Sequence, residues 1–342
     1  MFAPGHRHRT LTASIVTVIL LLSTIGAVRA APVTAADPVQ EVIDRAVAWL
    51  KTQQLPDGGF GYKGKSSAAM TADVVYALAL AGEQPDGPAW TTAGGRSALD
   101  ALAELAPAYV GTDAGQAGKV ARAVSLAGRD PRAFGGLDLI AIIEAAYDPA
   151  TGRYHPSFAF RHTLAVEALH RAGVEVPPGA SMALRLAQLP DGGWFWSFNQ
   201  DAGAERSDVD TTGRVLLLLG GLLDVRDPCA YKLAGSYLSG MQLPGGWNDG
   251  QTEGAPANAN STALAIAGLN AAGIDPEDAQ DVRTTLLAFQ EPSGAFVYTL
   301  DPTVGQEVRV MATAEALVAL VQPLNAGNGT CKPVPYFPMI LR

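Results

Sequence analysis

One short motif occurs four times along the chain, and this repetition constrains the fold more than any other feature. Each copy begins with Gln, contains a Pro with one or two glycines, and ends in an aromatic residue. The copies are QLPDGGF (54–60), QLPDGGW (188–194), QLPGGW (242–247) and QEPSGAF (290–296). Because glycine reaches positive φ without steric cost, the motif predicts a tight turn. Four copies of one pattern indicate one shared structural position rather than four chemical roles.

An apolar segment rich in Ala, Leu and Val follows the turn motif. Most copies open with Thr, at Thr71, Thr163, Thr212, Thr262 and Thr313. The segments cover 70–82, 162–173, 211–221, 261–273 and 312–321, and a degenerate copy lies at 118–128. A period of about 50 residues is typical of proteins built from repeated supersecondary units. The sequence therefore predicts six repeats.

The sequence pattern of each repeat predicts a pair of helices. The first helix is amphipathic, as at 37–54 and 275–290, and the second is apolar nearly all round, which is typical of a helix with no face toward water. An open stack would leave the apolar helices exposed, whereas a ring buries them against one another. We therefore predict an all-α protein, a closed α/α toroid of about six helix hairpins with inner and outer rings, over residues 37–322.

Residues 1–30 have the pattern of a signal peptide, with basic residues, an apolar run over 11–28 and small residues up to Ala30. An uncleaved membrane anchor is the alternative. Cleavage after Ala30 leaves a short extension over 31–36 and a protein that is secreted or held at the cell surface. The mature chain is expected to have no transmembrane span, and it ends in a Pro-rich apolar tail at 323–342 that is too short to cross a bilayer.

The chain is acidic, with 33 Asp plus Glu against 24 Lys plus Arg and a net charge of −9. This balance argues against a nucleic-acid partner and against an anionic membrane surface. The sequence has no metal-ligand spacing, phosphate-binding loop or His-based triad, so we expect no metal and no cofactor. The two cysteines, Cys229 and Cys331, either pair as a disulfide in an oxidising compartment or remain unpaired thiols.

The turn motif and the helix before it resemble the QW repeat of squalene and oxidosqualene cyclases. The segments that carry the resemblance are AWLKTQQLPDGGF (48–60), SYLSGMQLPGGW (236–247) and TLLAFQEPSGAF (285–296). The resemblance covers about residues 37–322 and extends to the wider superfamily of terpenoid cyclases and protein prenyltransferases, whose shared fold is an α/α toroid. It implies the fold more strongly than a function, because one fold hosts many activities.

The stretch SDVDTTG (207–213) resembles the acidic Asp-x-Asp-Asp-Thr-Ala motif of the cyclases. Asp208 and Asp210 match the first two acids and Thr212 matches the Thr, whereas Thr211 replaces the third acid and Gly213 the Ala. The resemblance implies that Asp210, with Asp208 beside it, protonates an alkene or epoxide. Aromatic rings would then stabilise carbocations. The expected ligand-contacting residues are Trp194, Phe195, Trp196, Phe198 and Trp247.

Asp210 also fits an N-cap position, which Asn260 and Ser261 occupy in the next repeat without an acid pair. The chain lacks the second large domain with which family cyclases enclose their substrate. We therefore predict first an exported, non-catalytic toroid that binds a small hydrophobic ligand or an extracellular protein partner. The alternative is a class II terpene-cyclase-like general-acid enzyme, an isomerase or lyase that uses Asp210. A third possibility is a purely structural surface module.

Overall fold

The computed structural model describes residues 38–199, 206–223, 227–274, 284–301, 305 and 308–321. Within these ranges the chain is mostly helical, as predicted. The helices are α1 (Pro38–Gln53), α2 (Ala68–Leu80), α3 (Ala98–Val110), α4 (Ala114–Leu126), α5 (Leu139–Ala145), α6 (Ala159–Arg171), α7 (Pro178–Leu186), α8 (Val209–Leu216), α9 (Pro228–Gly240), α10 (Ala259–Ala271) and α11 (Arg309–Val321).

Shorter elements are also present in the described part of the chain. A π-helical segment continues α8 over Leu217–Leu222, and a 3-10 turn covers Pro88–Trp90. Strands β1 (Gly61–Tyr62) and β2 (Lys65–Ser66) form a small antiparallel hairpin. None of the described helices combines the length and hydrophobicity that crossing a bilayer requires.

Several predictions concern residues outside the described ranges. The signal peptide at 1–30, the extension at 31–36, the tail at 323–342 and Cys331 all lie there. The predicted disulfide with Cys229, which lies in the first turn of α9, therefore stays a prediction. The domain boundaries stay predictions for the same reason.

Six Ala-rich helices pack against one another, and we call α2, α4, α6, α8, α10 and α11 the inner helices. Each contacts the next in chain order, and α11 also contacts α2 and α1. Their flanks are deeply buried: Val74, Ala121 and Ala165 have no exposed surface. Burial of this apolar surface is the main free energy that holds the helices together.

Two glycines set the close approach of α8 to α10. A Cβ on Gly213 would lie 2.3 Å from the carbonyl oxygen of Leu264, and a Cβ on Gly268 would lie 2.5 Å from that of Gly213. Neither position has room for a larger residue, because real Cβ atoms do not approach backbone so closely. This explains why Gly213 stands where the cyclase motif has Ala.

The Gln of the turn motif joins its own turn to a helix of another repeat. Gln188 Nε2 donates to the carbonyls of Gly192, at 2.8 Å, and of Ala230 in α9, at 2.9 Å. Gln290 makes the same pair of bonds to Gly294 and to Val42 in α1. The Gln side chain therefore links the turn to a carbonyl in the first turns of another helix.

The aromatic residue of the motif joins an inner helix to an outer one. The backbone N–H of Trp194 donates to Thr212 Oγ1 at 2.9 Å, and that of Trp247 donates to Thr262 Oγ1 at 3.0 Å. Each indole Nε1 donates to a carbonyl near the end of the preceding outer helix, at 2.7 Å. This geometry explains why Thr opens most of the apolar segments.

The alignment of Thr163 with the other opening threonines is wrong by one residue. In this repeat the backbone N–H of Tyr154 donates to Nδ1 of His162 at 3.0 Å, so His162 takes the place of the Thr. Its Nε2 lies 3.0 Å from the carbonyl of Ala180 and must carry the proton. Burial lowers the pKa of His162 to about 4, so the ring is neutral.

Candidate functional site

The sequence predicted that the inner helices are apolar nearly all round, and this prediction is wrong. Each of α2, α4, α6, α8 and α11 carries charged side chains that meet in the interior of the helix array. Glu315 on α11 interacts electrostatically with Asp73 on α2, Lys119 on α4 and Asp210 on α8. Charged side chains of three other helices therefore act electrostatically on Glu315, and we call the interior region around these four residues the lumen.

One side of the lumen is a network of ion pairs centred on Glu167 of α6. Arg122 bridges Glu167 and Asp73, at 3.3 Å to each, and Lys119 lies 2.5 Å from Asp73. Arg214 pairs with Glu167, and the hydroxyl of Tyr76 donates to it at 2.7 Å. The pairing makes this carboxylate part of the scaffold.

The three arginines around Glu167 determine its charge. Burial alone would favour the neutral acid, but Arg214, Arg122 and Arg171 together hold the pKa of Glu167 well below its ordinary value. Removing one partner from such a buried network is strongly destabilising, because it leaves a charge without compensation. The network is therefore fixed and is a poor candidate for proton transfer.

Asp208, not Asp210, is the N-cap of α8, so the capping role predicted for Asp210 is wrong. Its Oδ1 accepts from the backbone N–H of Thr211 at 2.6 Å, and its own N–H donates to the carbonyl of Trp194 at 2.8 Å. Within the described ranges its Oδ2 is buried without a hydrogen-bond partner. Burial raises the pKa of Asp208 to about 7, against the effect of the bond from Thr211.

Asp210 lies in the first turn of α8 and is partly exposed. Its Oδ1 is buried and has no hydrogen-bond partner in the described part of the chain, while the hydroxyl of Ser261 hydrogen-bonds to its carboxyl group. Burial, with a smaller contribution from the charge of Asp249, raises the pKa of Asp210 to about 6. A carboxyl group in this setting is suited to proton donation.

The neighbouring helix α10 orients the hydroxyl that contacts Asp210. Asn258 Nδ2 donates to Ser261 Oγ at 3.1 Å, so the Ser261 oxygen acts as acceptor there and its hydrogen is available for Asp210. The acid of one repeat is therefore supported by polar side chains of the next.

The structure separates the predicted aromatic residues into two groups. Trp194, Trp247 and Phe198 are buried, and the two indoles are already bonded to backbone carbonyls of the scaffold. Phe195 is half-buried and Trp196 is 45% exposed. Ligand contact by all five remains a prediction, and the geometry favours Phe195 and Trp196 because they retain accessible surface.

An aromatic cluster forms where α6 begins. The rings of Trp196 and Phe195 lie 5.0 Å apart, Trp196 lies 5.4 Å from Phe158, and Phe158 lies 4.8 Å from His155. Trp194, which precedes Phe195 and Trp196, forms a β-bridge with Asp208, and this bridge brings the cluster to the acids of α8. Arg161 lies over the ring of Phe158, 5.0 Å from its centroid.

Sequence reasoning missed Glu315, which is partly exposed on α11. Its signal was a single acid inside the otherwise apolar run MATAEALVALV (311–321). Burial, then the charges of Asp73 and Asp210, raise the pKa of Glu315 to about 8. Tyr298, whose pKa is raised by burial and by the charges of Asp210, Asp249 and Glu315, was missed as well.

No group of three or more His, Cys, Asp or Glu residues in the described ranges is arranged to hold a metal ion.

Neither a protein-family model nor a curated protein matches this chain. Solved structures do match. The type II terpene cyclase MstE from Scytonema matches with a TM-score of 0.55 and 16% identity, over 83% of this chain and 97% of that one. The fold is terpene cyclase-like. A structure of MstE in complex with geranylgeranyl dihydroxybenzoate, described as its substrate, matches with a TM-score of 0.56.

The same fold occurs in other proteins. A protein from Actinoplanes matches with a TM-score of 0.55 and 17% identity, over 82% of this chain and 98% of that one. An inactive variant of the α-1,6-mannanase GH76A of Salegentibacter, in complex with α-1,6-mannotriose, matches with a TM-score of 0.58 and 10% identity over 83% and 98%. At these identities the matches establish the fold and leave the function to the site.

Proposed function

We propose that this protein is a general-acid enzyme of the class II terpene cyclase type, in which Asp210 protonates an alkene or epoxide of a polyprenyl substrate. The observation that carries the proposal is the Asp210 carboxyl group. It is partly exposed on the lumen side of α8, has a pKa raised to about 6, and keeps one oxygen without a hydrogen bond from the described residues. This function is better supported than the exported, non-catalytic module predicted first.

Asp208 and Asp210 differ in their structural roles, and this difference supports a chemical role for Asp210. Asp208 already caps α8, so the helix start does not require a second carboxylate in its first turn. Protonation of an alkene requires an acid that is kept neutral away from bulk water. Burial keeps Asp210 neutral to a higher pH than an exposed aspartate, while Ser261 orients its carboxyl group.

Carbocations formed after protonation need stabilisation that does not quench them. The faces of aromatic rings attract cations without offering a nucleophilic lone pair. Phe158, Phe195 and Trp196 form a cluster of accessible or half-buried rings, and the β-bridge between Trp194 and Asp208 joins the segment that carries two of them to α8. The proposed substrate is accordingly a small hydrophobic molecule whose chain lies between this cluster and Asp210.

The proposed chemistry also favours a closed ring of hairpins, because a closed lumen excludes water from cationic intermediates. The contacts of α11 with α2 and α1, and the hydrogen bond from Gln290 to Val42, support closure. Export remains part of the proposal through the pattern at residues 1–30, and N-terminal sequencing of the protein recovered from culture medium is its test.

The function is tested by incubating the purified protein with geranylgeraniol, squalene and oxidosqualene and identifying products by mass spectrometry. We expect cyclic products of unchanged mass from one probe, and none from Asp210→Asn. Asp138→Asn is the matched control, because Asp138 caps the outer helix α5 and Asn caps almost as well. Mannotriose is included because one fold hosts many functions. Equal conversion by wild type and Asp210→Asn contradicts the proposal, as does hydrolysis of mannotriose alone.

A further inference from the structure

The ion-pair network of the inner helices carries more positive than negative charge. The side chains that its ion pairs join are the carboxylates Asp73 and Glu167 and the cations Lys119, Arg122, Arg171 and Arg214. Four positive charges therefore face two negative ones. If Glu315 on α11 is counted as a third carboxylate, an excess of one positive charge is left. Buried charge without compensation costs free energy, so the network lacks an anion.

The acceptors of the network are filled, whereas some of its donors are free. Oε1 of Glu167 accepts from the hydroxyl of Tyr76 and from Nε of Arg171, both at 2.7 Å. Oε2 accepts from Arg122 and Arg214, so four donors occupy this carboxylate. Nε of Arg122 is buried and has no acceptor among the described residues, on a side chain of a residue that is 7% exposed. The network therefore offers N–H groups that the scaffold does not satisfy.

The cationic side of the network that ligands can reach is on α4. The side chain of Lys119 is 20% exposed, whereas that of Arg214 is 4% exposed. The ammonium group of Lys119 has three N–H donors, and it bonds to Oδ2 of Asp73 at 2.5 Å. Lys119 and Arg122 are three positions apart in one helix and so lie on the same face. An accessible ammonium group therefore lies beside a guanidinium with a free donor.

We propose that Lys119 and Arg122 form a binding site for an oxyanion, which is a phosphate or carboxylate group. The guanidinium and ammonium groups are the side chains with which proteins bind these anions. A phosphate with two negative charges matches the excess of the network. The same site accepts a free anion or the anionic headgroup of a hydrocarbon ligand, because the contacting oxygens are alike.

This inference stands on the ion pairs and goes beyond the proposed function, but it bears on that function at one point. Protonation of an alkene creates a carbocation in the lumen. An excess of positive charge nearby raises the energy of that carbocation, because like charges repel strongly where water is excluded. A bound oxyanion removes this repulsion.

The first test titrates inorganic phosphate into the purified protein by calorimetry, with sodium chloride keeping the ionic strength constant. Wild type is expected to bind phosphate saturably. Lys119→Gln should bind it at least about 10-fold more weakly, because a charge-assisted hydrogen bond is lost. Lys232→Gln, on an exposed lysine of α9, is the matched control and should bind like wild type. No saturable binding by wild type, or equal affinity in Lys119→Gln, overturns the site.

A second variant should change the affinity in the opposite direction. Asp73→Asn removes a carboxylate that competes for Lys119 and Arg122, so phosphate should bind more tightly than to wild type. Phosphate should also raise the thermal unfolding midpoint of Asp73→Asn more than that of wild type, since a ligand stabilises the state that binds it. A network with only a structural role predicts lower stability in Asp73→Asn and no gain in phosphate affinity, and this result contradicts the proposal.

The source of the anion is identified by comparing geranylgeranyl phosphate with geranylgeraniol and inorganic phosphate. Tighter binding of geranylgeranyl phosphate than of both other probes supports a headgroup site. Equal affinity for the two phosphates supports a site for a free anion. In either case Lys119→Gln must weaken binding, and a prenyl phosphate that binds this variant like wild type argues against the assigned residues. If phosphate binds as expected but no alkene is converted, the oxyanion site stands and the cyclase-like reaction is what fails.

Discussion

The starts of α8 and α10 occupy the same position in successive repeats, and they differ in chemistry. Asp208 and Asn258 are the respective N-caps. Each accepts the backbone N–H three residues on, at 2.6 and 2.9 Å, and each donates its own N–H to the tryptophan carbonyl of its turn. Two residues further along, α8 has Asp210 where α10 has Asn260.

The comparison shows what the fold requires at these positions. An amide caps α10 as well as a carboxylate caps α8, so hydrogen bonding at the helix start needs an oxygen acceptor and no charge. Folding therefore does not explain the acids in α8, because an aspartate buried at this cost could be an asparagine. The acids that occur in α8 and not in α10 are therefore better explained by function than by folding.

The largest expected effect is a loss of alkene conversion when Asp210 of α8 is replaced by Asn, the residue at the same position of α10. Asp210→Asn should reduce alkene conversion by at least about 100-fold, since general acids contribute about 10² to 10⁴-fold. The protein should remain folded, because Asn260 occupies the same position in α10. Adding Asn260→Asp to this variant should restore nothing, because the acid then lies on the wrong helix. Initial rates and circular dichroism of both variants provide the measurement, and recovery in the double variant would contradict the assignment.

A second pair of variants tests the hydrogen bond between the turn tryptophan and the Thr of the following helix, which both repeats contain. Thr212→Val and Thr262→Val remove the oxygen that accepts the backbone N–H of Trp194 or Trp247. A buried N–H without a partner costs about 1–3 kcal/mol, so both variants should lose this much free energy of unfolding in urea titrations. Equal losses would support one shared architecture. A loss in only one repeat would show that the two joints are not equivalent.

The pH dependence of stability should differ between the repeats. The folded-state pKa values of Asp208, about 7, and Asp210, about 6, lie above the ordinary aspartate value of 3.8. Folding therefore favours their protonated forms, and this contribution is complete below about pH 4 and lost as pH rises through 6 to 7.

Asp210→Asn removes part of that pH dependence. The unfolding free energy of Asp210→Asn relative to wild type should be unchanged at pH 4 and should rise by up to about 3 kcal/mol at pH 8. Urea titrations across this range provide the measurement. A constant difference between the two proteins at every pH would mean that Asp210 has an ordinary pKa.

The smallest expected effect concerns the caps themselves. Asp208→Ala and Asn258→Ala should each cost about 1 kcal/mol of unfolding free energy, since each removes one side-chain acceptor from a helix start. Asp208→Asn should cost almost nothing, because the amide oxygen replaces the carboxylate oxygen. Thermal unfolding of the three variants under one condition provides the comparison. A large loss in Asp208→Asn would show that the charge itself stabilises α8.

Much of the scaffold follows from local sequence. The turn motif fixed the reversals, and the Ala-rich segments with their opening Thr predicted the inner helices. The interpretation of the motif as a structural joint agrees with the bonds made by Gln188 and Gln290. The repeat of α6 is an exception. There His162 accepts the backbone N–H that Thr accepts in other repeats, because an imidazole nitrogen is also a hydrogen-bond acceptor.

For the candidate site, the sequence identified some residues and the folded structure was needed for the others. The sequence by itself identified Asp208 and Asp210, because both lie in one short motif, and it identified the helices that carry the lumen. It did not determine which of the two is the cap, since this depends on the turn at which α8 begins. It also did not connect Glu315 to Asp210, which lies more than a hundred positions earlier in the chain. Hydrogen bonds within a turn are decided by neighbours in sequence, whereas the charge environment of a buried acid is decided by helices that meet only in the folded protein.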